Sequence, residues 1–380
     1  MTCCDRTFAL IQPRYIGVAH RMRSLWLGAA AALAACTVGS TTALAETAPA
    51  SCEVFCHGPL LDKIQLAGLY NDSKTFVDKP LLVDPDEALA HFHELPANAT
   101  TADLQTFVDT YFGEVGSDVV SCTPTDFQPN PPRIMDNVTV NVSRQWALDI
   151  NAIWPQLCRE ATAESAAHPD RHSLLAPSRP MIVPGGRFRE SYYWDSYWIV
   201  RGLLVSGMQD SACDVVTNLL ESAEKYGFVP NGFRVYYLTR SQPPLLSEMV
   251  KSVLDSFDSA TSPAGGAERS DYCGFSNRKA FLEKWLPVLD KEYTFWMTNR
   301  SIRINNAAAT LTAGSSYVLN LYNASTELPR PESYSEDISN GNLAADNAEA
   351  SGDDPEAARL AFYRGAATAA ETGFVSHAMS

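Results

Sequence analysis

Between Pro184 and Trp198 the chain sets Arg187, Arg189, Glu190 and Asp195 among Phe188, Tyr192, Tyr193, Trp194, Tyr197 and Trp198. Pro184-Gly185-Gly186 ahead of them is a turn signal, because glycine reaches backbone angles that Cβ-bearing residues avoid. So much charge and aromatic surface in one run suits a sugar. Flat rings cover the C–H face of a pyranose, while guanidinium and carboxylate groups hold its hydroxyls. The same residues also fit a buried aromatic helix start with a structural salt bridge. Spacing alone does not separate the two readings.

Three further segments carry unusual polar sets. Asn231 and Gly232 open a turn that runs through Phe233-Arg234-Val235-Tyr236-Tyr237-Leu238-Thr239-Arg240-Ser241-Gln242 to the stop Pro243-Pro244. The amides of Asn231 and Gln242 offer both donor and acceptor, as a sugar hydroxyl does. By itself such a run is also a solvated turn around a short extended piece, Val235 to Leu238. In Pro329-Arg330-Pro331-Glu332-Ser333-Tyr334, two prolines restrain an Arg and a Glu. Its plain alternative is an exposed loop ion pair of little energetic weight. The last segment runs from Tyr363-Arg364 to Ala370-Glu371-Thr372-Gly373-Phe374.

Together these segments resemble the trehalases, the glycosidases that split α,α-trehalose into two glucoses. Residues 184–198 are similar to the first signature of that family. Residues 230–244 resemble its Asn-Gly…Arg-Ser-Gln-Pro-Pro segment, and 329–334 its Pro-Arg-Pro-Glu-Ser-Tyr. Residues 363–374 resemble the helix that leads into its Gly-Trp/Phe-Asp-Phe-Ser-Ser-Arg-Trp motif. The resemblance implies an all-α fold, the (α/α)6 toroid, and hydrolysis with inversion by water, without metal or cofactor. It implies sugar contacts from Arg187, Trp194, Asp195, Asn231, Arg240, Gln242, Arg330, Glu332 and Gly373. Phe188 and Glu190 stand behind them, and Tyr192, Tyr193 and Tyr197 pack. Phe233 departs from the family's small residue.

A larger departure follows Phe374. Val375 stands where the family has the Asp that acts as general acid, and Val375 to Ser380 match nothing in it. His377 is given no place in the site. The family's general base and its second signature lie beyond residue 380. Inversion needs two carboxyls roughly 6.5–9.5 Å apart across the bond, and Val375 supplies neither. The expectation is a truncated reading of a trehalase that grips sugar without turning it over. A non-catalytic sugar-binding fragment and a different α/α-toroid glycosidase are the alternatives.

The elements that must position these segments read as helices. Short ones are expected over 60–66, 84–95 and 101–112, with Thr101 as N-cap and Leu104, Phe107, Val108 and Tyr111 on one face. Residues 122–136, with Pro124, Pro129, Pro131 and Pro132, read as loop. Ser143 can cap a helix whose apolar face is Trp146, Ile150, Ile153 and Leu157, kinked at Pro155. Asp210 can cap another, with Ala212, Val215, Val216, Leu219, Leu220, Ala223 and Tyr226 inward and Gly227 as its stop. Helices over 248–257 and 278–297 follow, the latter burying Phe281, Leu282, Trp285, Leu289, Tyr293 and Trp296. Residues 174–186 and 259–267 read as loops, and the acidic run 339–354 as a mobile insertion. Helix pairs with polar loops at one end point independently to an α/α toroid.

Composition excludes other classes. Apolar residues make up 46% and charged residues 19%, which is a globular balance. A net charge of −15 argues against a nucleic-acid partner. No P-loop, dinucleotide glycine pattern, HExxH or paired-Cys zinc pattern occurs. Arg21 and Arg23 precede the apolar run Leu25 to Ala35, and Ala43-Leu44-Ala45 fits a cleavage site. This reads as a signal peptide and export, with a signal anchor as alternative and Met22 as an alternative start. Residues 1–45 then form extension and signal, 46–374 a partial toroid domain, and 375–380 a tail. Removal of Cys3, Cys4 and Cys36 leaves Cys52, Cys56, Cys122, Cys158, Cys213 and Cys273, an even set that suits disulfides. Sequence does not choose among the fifteen pairings; Cys52 with Cys56 or with Cys122 is preferred, and Cys158 and Cys213, on apolar helix faces, could also be simply buried thiols. Asn71, Asn98, Asn137, Asn141, Asn299 and Asn323 begin N-glycosylation triplets.

Overall fold

Helices account for most of the described residues, in a computed structural model that describes residues 51–258, 271–305, 316–324 and 326–374. The expected signal segment, the loop at 259–267 and the tail from Val375 lie outside the described residues. The first helices are α1 (Cys52–Phe55), α2 (Pro59–Leu66), α3 (Lys74–Val77), α4 (Pro85–His93) and α5 (Thr101–Tyr111). The cap of α5 is Thr100, one residue before the expected Thr101. Its hydroxyl accepts from Asp103 N, and the Asp103 carboxylate accepts from Thr100 N at 2.7 Å. That reciprocal pair is why the helix begins there.

Next come β1 (Val119–Ser121), α6 (Pro132–Asn137), α7 (Asn141–Asn151), α8 (Trp154–Leu157), β2 (Cys158–Ala161), α9 (Ala163–Ala167) and β3 (Met181–Ile182). Helix α6 falls partly inside the expected loop, and Pro132 opens it at a position where its missing N–H costs nothing. The expected helix after Ser143 is in two pieces. Pro155 sits in the first turn of α8 and breaks the run instead of kinking it. Its expected core face is also corrected, since Trp146 is 68% exposed and Ile150 44%. Trp154, past the break, packs inward instead. An added Cβ on Gly202 would lie 2.8 Å from its ring, and its N–H donates to Ser206 Oγ at 3.0 Å. A helical period shows that a face is apolar, not that a neighbour exists to cover it.

The second half holds α10 (Tyr193–Val205), α11 (Gln209–Tyr226), α12 (Leu246–Asp258) and α13 (Arg278–Asn299). These are followed by β4 (Ser301–Asn305), β5 (Ser316–Asn320), α14 (Tyr334–Ser351) and α15 (Pro355–Glu371). Helix α11 stops at Gly227, whose φ of 81° is left-handed. Residues 339–351 continue α14, so the expected mobile insertion is a helix, which turns at Gly352 with φ 81°. Val235–Tyr237, expected as extended, is a 3-10 turn. Tyr293 faces outward on α13, whereas Phe281, Trp285 and Trp296 are buried.

Helices α10, α11, α12 and α13 pack on one another, and α14 packs along α15. This hairpin-by-hairpin packing is the expected all-α, (α/α)6-type construction. The strands are subsidiary. β1, β2 and β3 form an antiparallel sheet with Val119 opposite Ala161 and Cys158 opposite Ile182, and β4 pairs with β5. The disulfides are Cys52–Cys56, Cys122–Cys158 and Cys213–Cys273. The pairing of Cys52 with Cys122 is therefore excluded, and Cys158 and Cys213 are bridged, not free. Their distant partners come close only in the folded chain, which spacing cannot show.

Two cores result. One joins Val200, Leu203, Val216, Leu219, Met249, Val253, Phe281 and Trp285. The other joins Val54, Phe55, Leu60, Leu61, Phe76 and Phe107 to Tyr192, Tyr236 and Tyr237. Each fully buried apolar side chain contributes about 1.5–3 kcal/mol. Tyr193 belongs to the first core and Tyr192 to the second. The start of α10 is thus clamped between them.

Candidate active site

A cavity of about 910 Å³ opens where the loops meet the start of α10, the face of α14 and the end of α15. Arg187, Phe188, Trp194, Asp195, Asn231, Arg240, Gln242, Arg330, Glu332 and Gly373 all line it. These residues come from four separate sequence segments. Glu190, also singled out from the sequence, does not line the cavity but is fully buried.

The Arg side chains are held by carboxylates. Arg187 forks onto Asp72, with Nε to Oδ2 at 2.7 Å and Nη2 to Oδ1 at 2.6 Å. Arg240 donates from Nη2 to Glu332 Oε1 at 2.6 Å and from Nε to Asn231 Oδ1 at 3.0 Å. Arg330 donates to Asp337 through its backbone N, Nε and Nη2. Such bidentate pairs fix the planar guanidiniums in direction as well as place. Gln242 Oε1 accepts from Trp194 N at 3.1 Å. Trp194 lies against Gly373, where an added Cβ would come within 2.8 Å of the indole. Gly373 is left-handed, with φ 74°.

Beneath the cavity is a buried ionic cluster. Glu190 accepts from Lys74 Nζ at 2.7 Å and from Arg234 Nε at 3.2 Å, and it also accepts the Tyr192 hydroxyl. Lys74 also donates to Asp78 at 2.8 Å and to Tyr236 Oη at 2.9 Å, and Arg234 pairs with Asp118. Tyr192 and Tyr237, whose hydroxyls lie 3.0 Å apart, carry this support up to the cavity, which both line.

Charge states follow from these partners. Burial pushes the Glu332 carboxyl up, but Arg240 and Arg330 outweigh it and hold the group below its ordinary value. Burial also opposes ionisation of Asp72, and there the Arg187 fork and Lys74 N–H win. Asp195 differs, because burial pushes it up and no cation pairs with it among the described residues. Glu332 Oε2 is buried without a protein partner beside the cavity. Ionised acceptors, fixed donor forks and exposed ring edges together offer the groups that a neutral polyhydroxyl ligand needs.

The Trehalase family model matches residues 68–378. The chain belongs to the trehalase family. Human trehalase is 37% identical over 305 residues, which cover 79% of this chain and 48% of the human protein. Trehalase of Tenebrio molitor is 37% identical over 330 residues, covering 85% of this chain and 53% of that protein. A probable trehalase of rice is 39% identical over 304 residues, covering 80% and 48%. The chain thus spans about half the length of the curated trehalases it matches.

Several lining residues of this trehalase-family site were not singled out from sequence. Asp72, Glu336, Asp337, Asn340 and Phe362 are among them. Asn71-Asp72-Ser73 carried a signal only as a glycosylation triplet, yet Ser73 is buried and accepts from Ser335 N. Asp337 lies just ahead of the acidic run 339–354 and carried no signal of its own. In the structure it is 1% exposed.

Proposed function

We propose that this chain binds α,α-trehalose as part of a glycosidase of its family, whose reaction is hydrolysis to two glucoses with inversion. One observation carries the reading. Residues up to 186 positions apart in sequence, from Arg187 to Gly373, converge on a single cavity whose chemistry suits a neutral disaccharide. In this reading Arg187, Asn231, Arg240, Gln242, Arg330 and Glu332 bind hydroxyls. Trp194 and Phe188 cover sugar faces, and Asp195 and Gly373 border the bound ring. Water is the second substrate.

Three of the cavity carboxylates, Asp72, Glu332 and Asp337, are committed to guanidiniums and a fourth, Glu336, accepts from Ser73 Oγ, so these serve binding and not proton transfer. Asp195 is the one cavity-lining carboxyl among the described residues that burial is seen to push up, and the family resemblance gives it a binding role. With Val375 at the acid position, the 380-residue chain is expected to bind trehalose and release no glucose above buffer. Calorimetric titration with trehalose, and a glucose assay on the same sample, test this. Absence of binding refutes the substrate assignment. Glucose release at the rate of a complete family member refutes the assignment of the carboxylates to binding.

Export is part of the same proposal. The apolar run from Leu25 to Ala35 and the three described disulfides suit an oxidising compartment. The exposed triplets at Asn98, Asn137 and Asn141 suit glycosylation there. Expression in a secreting eukaryotic cell, with glycosidase treatment of the medium and of the lysate, checks both points. A chain retained in the cytosol with free thiols refutes export.

A further inference from the structure

Glu371 lies two residues before Gly373, and it does not line the cavity. Its side chain is fully buried, and its two oxygens hold three separate segments. Oε1 accepts from Ser241 N at 2.9 Å, and Oε2 accepts from Asn323 N at 2.8 Å. Arg300, at the end of α13, donates through Nε to both oxygens at 2.9 Å. A carboxylate that only neutralised Arg300 would have no need of two backbone amides as well.

The Ser241 contact bears most directly on the site. Ser241 sits between Arg240 and Gln242, both cavity residues. Gln242 in turn accepts from Trp194 N, and Trp194 rests on Gly373 at the end of the same helix that carries Glu371. The contacts close a ring: Glu371, Ser241, Gln242, Trp194, Gly373. Ionised oxygens accepting backbone N–H groups make strong, directional bonds. A shift of Ser241 would carry Arg240 and Gln242 with it, and small misplacements in a polar site cost binding steeply.

We infer that Glu371 is a positioning residue of the sugar site. Its carboxylate sets the 240–242 segment against the end of α15, and so sets Arg240 and Gln242 at the spacing a disaccharide requires. The inference rests on the proposed trehalose site for its ligand, but not for its structural readout.

The test compares Glu371→Asp with Arg300→Lys in the full chain. The Asp carboxylate keeps the charge beside Arg300 but is one methylene too short to reach both amides. Arg300→Lys weakens the ion pair while leaving the Ser241 bond in place. Trehalose affinity is measured by calorimetry. Amide hydrogen exchange of the sugar-free proteins is measured over residues 239–243 and, as a reference, over α11. Glu371→Asp is expected to weaken trehalose binding at least tenfold and to speed exchange at 239–243 while α11 stays protected. Arg300→Lys is expected to bind within twofold of the unsubstituted chain. Equal losses in both variants, or unchanged exchange at 239–243 in Glu371→Asp, overturn the inference. If the unsubstituted chain binds no trehalose, the substrate assignment fails, and the exchange result alone decides the role of Glu371.

Discussion

Replacing Glu292 with Gln is expected to remove a pH dependence of stability that this fold carries. Glu292 lies in α13, only 4% exposed, and its carboxylate accepts the Tyr193 hydroxyl, which itself accepts from Leu246 N. Burial pushes its carboxyl from the ordinary 4.5 up to about 7, and the Tyr193 hydrogen bond offsets only part of this. Between those two values the folded chain holds the proton and the unfolded chain does not. Stability therefore falls as pH rises through that window, by about 1.4 kcal/mol for each pH step. The window spans 2.5 such steps, so the loss is about 3 kcal/mol. A Gln at 292 can still accept the Tyr193 hydroxyl and never ionises. The variant should match the unsubstituted chain within about 1 kcal/mol at pH 5 and exceed it by about 2–3 kcal/mol at pH 8. Urea titrations at both pH values, followed by tryptophan fluorescence, give the comparison. Other titrating groups act in the opposite direction. Glu190, Glu332 and Asp72 are held below their ordinary values, so they lose stability as pH falls below about 4. Buried His172 is pushed down and loses stability below about 6.5. These contributions cancel in the difference between variant and parent. An equal difference at pH 5 and pH 8 would show that Glu292 does not carry the effect.

Gly373→Ala forces a side chain into a left-handed position with φ 74°, at about 1–2 kcal/mol, and its Cβ meets the Trp194 ring at 2.8 Å. Trehalose affinity measured by calorimetry should fall about tenfold, equivalent to about 1.4 kcal/mol, and binding equal to the parent would contradict this packing. Lys74→Met leaves Asp78 and Glu190 short of their cation in a fully buried cluster and should lower unfolding free energy by about 3–5 kcal/mol. Urea denaturation at pH 7 reads that loss, and a loss under 1 kcal/mol would show water reaching the cluster.

Much of the site was legible because sugar-binding chemistry is concentrated in a few short runs. Arg187, Trp194, Asn231, Arg240, Gln242 and Glu332 were singled out through the resemblance to trehalases, since type and spacing alone left each run open to a plain structural reading. Their partners are not legible in the same way. Asp72 and Asp337 are single acids in polar stretches, and only the fold brings each to its Arg. Among the helices, α11 was readable from its apolar face and its closing glycine, since both signals are local. The α7 face misled because Trp146 and Ile150 have helical spacing without a neighbour. The one buried stripe of α14, Tyr334, Asp337, Gly341 and Ala345, was hidden by its acidic composition, where Asp337 is paired with an Arg seven residues earlier.

The least expected feature is that the floor of the proposed site for an uncharged sugar rests on buried ions. Lys74, Asp78, Asp118, Glu190 and Arg234 are each at most 1% exposed. Burying an ion pair is often no better for stability than apolar packing, because desolvation offsets the attraction. Stability alone therefore does not explain the cluster. Its contacts offer another reason. Glu190 accepts the Tyr192 hydroxyl, Tyr192 meets Tyr237, and the Arg240 guanidinium lies 4.9 Å from the Tyr237 ring. An apolar replacement would fill the same volume but leave those hydroxyls free to rotate, and with them the rings on which Arg240 rests. The cluster turns charge far from the ligand into fixed direction at the ligand, which is what distinguishing one arrangement of hydroxyls from another demands.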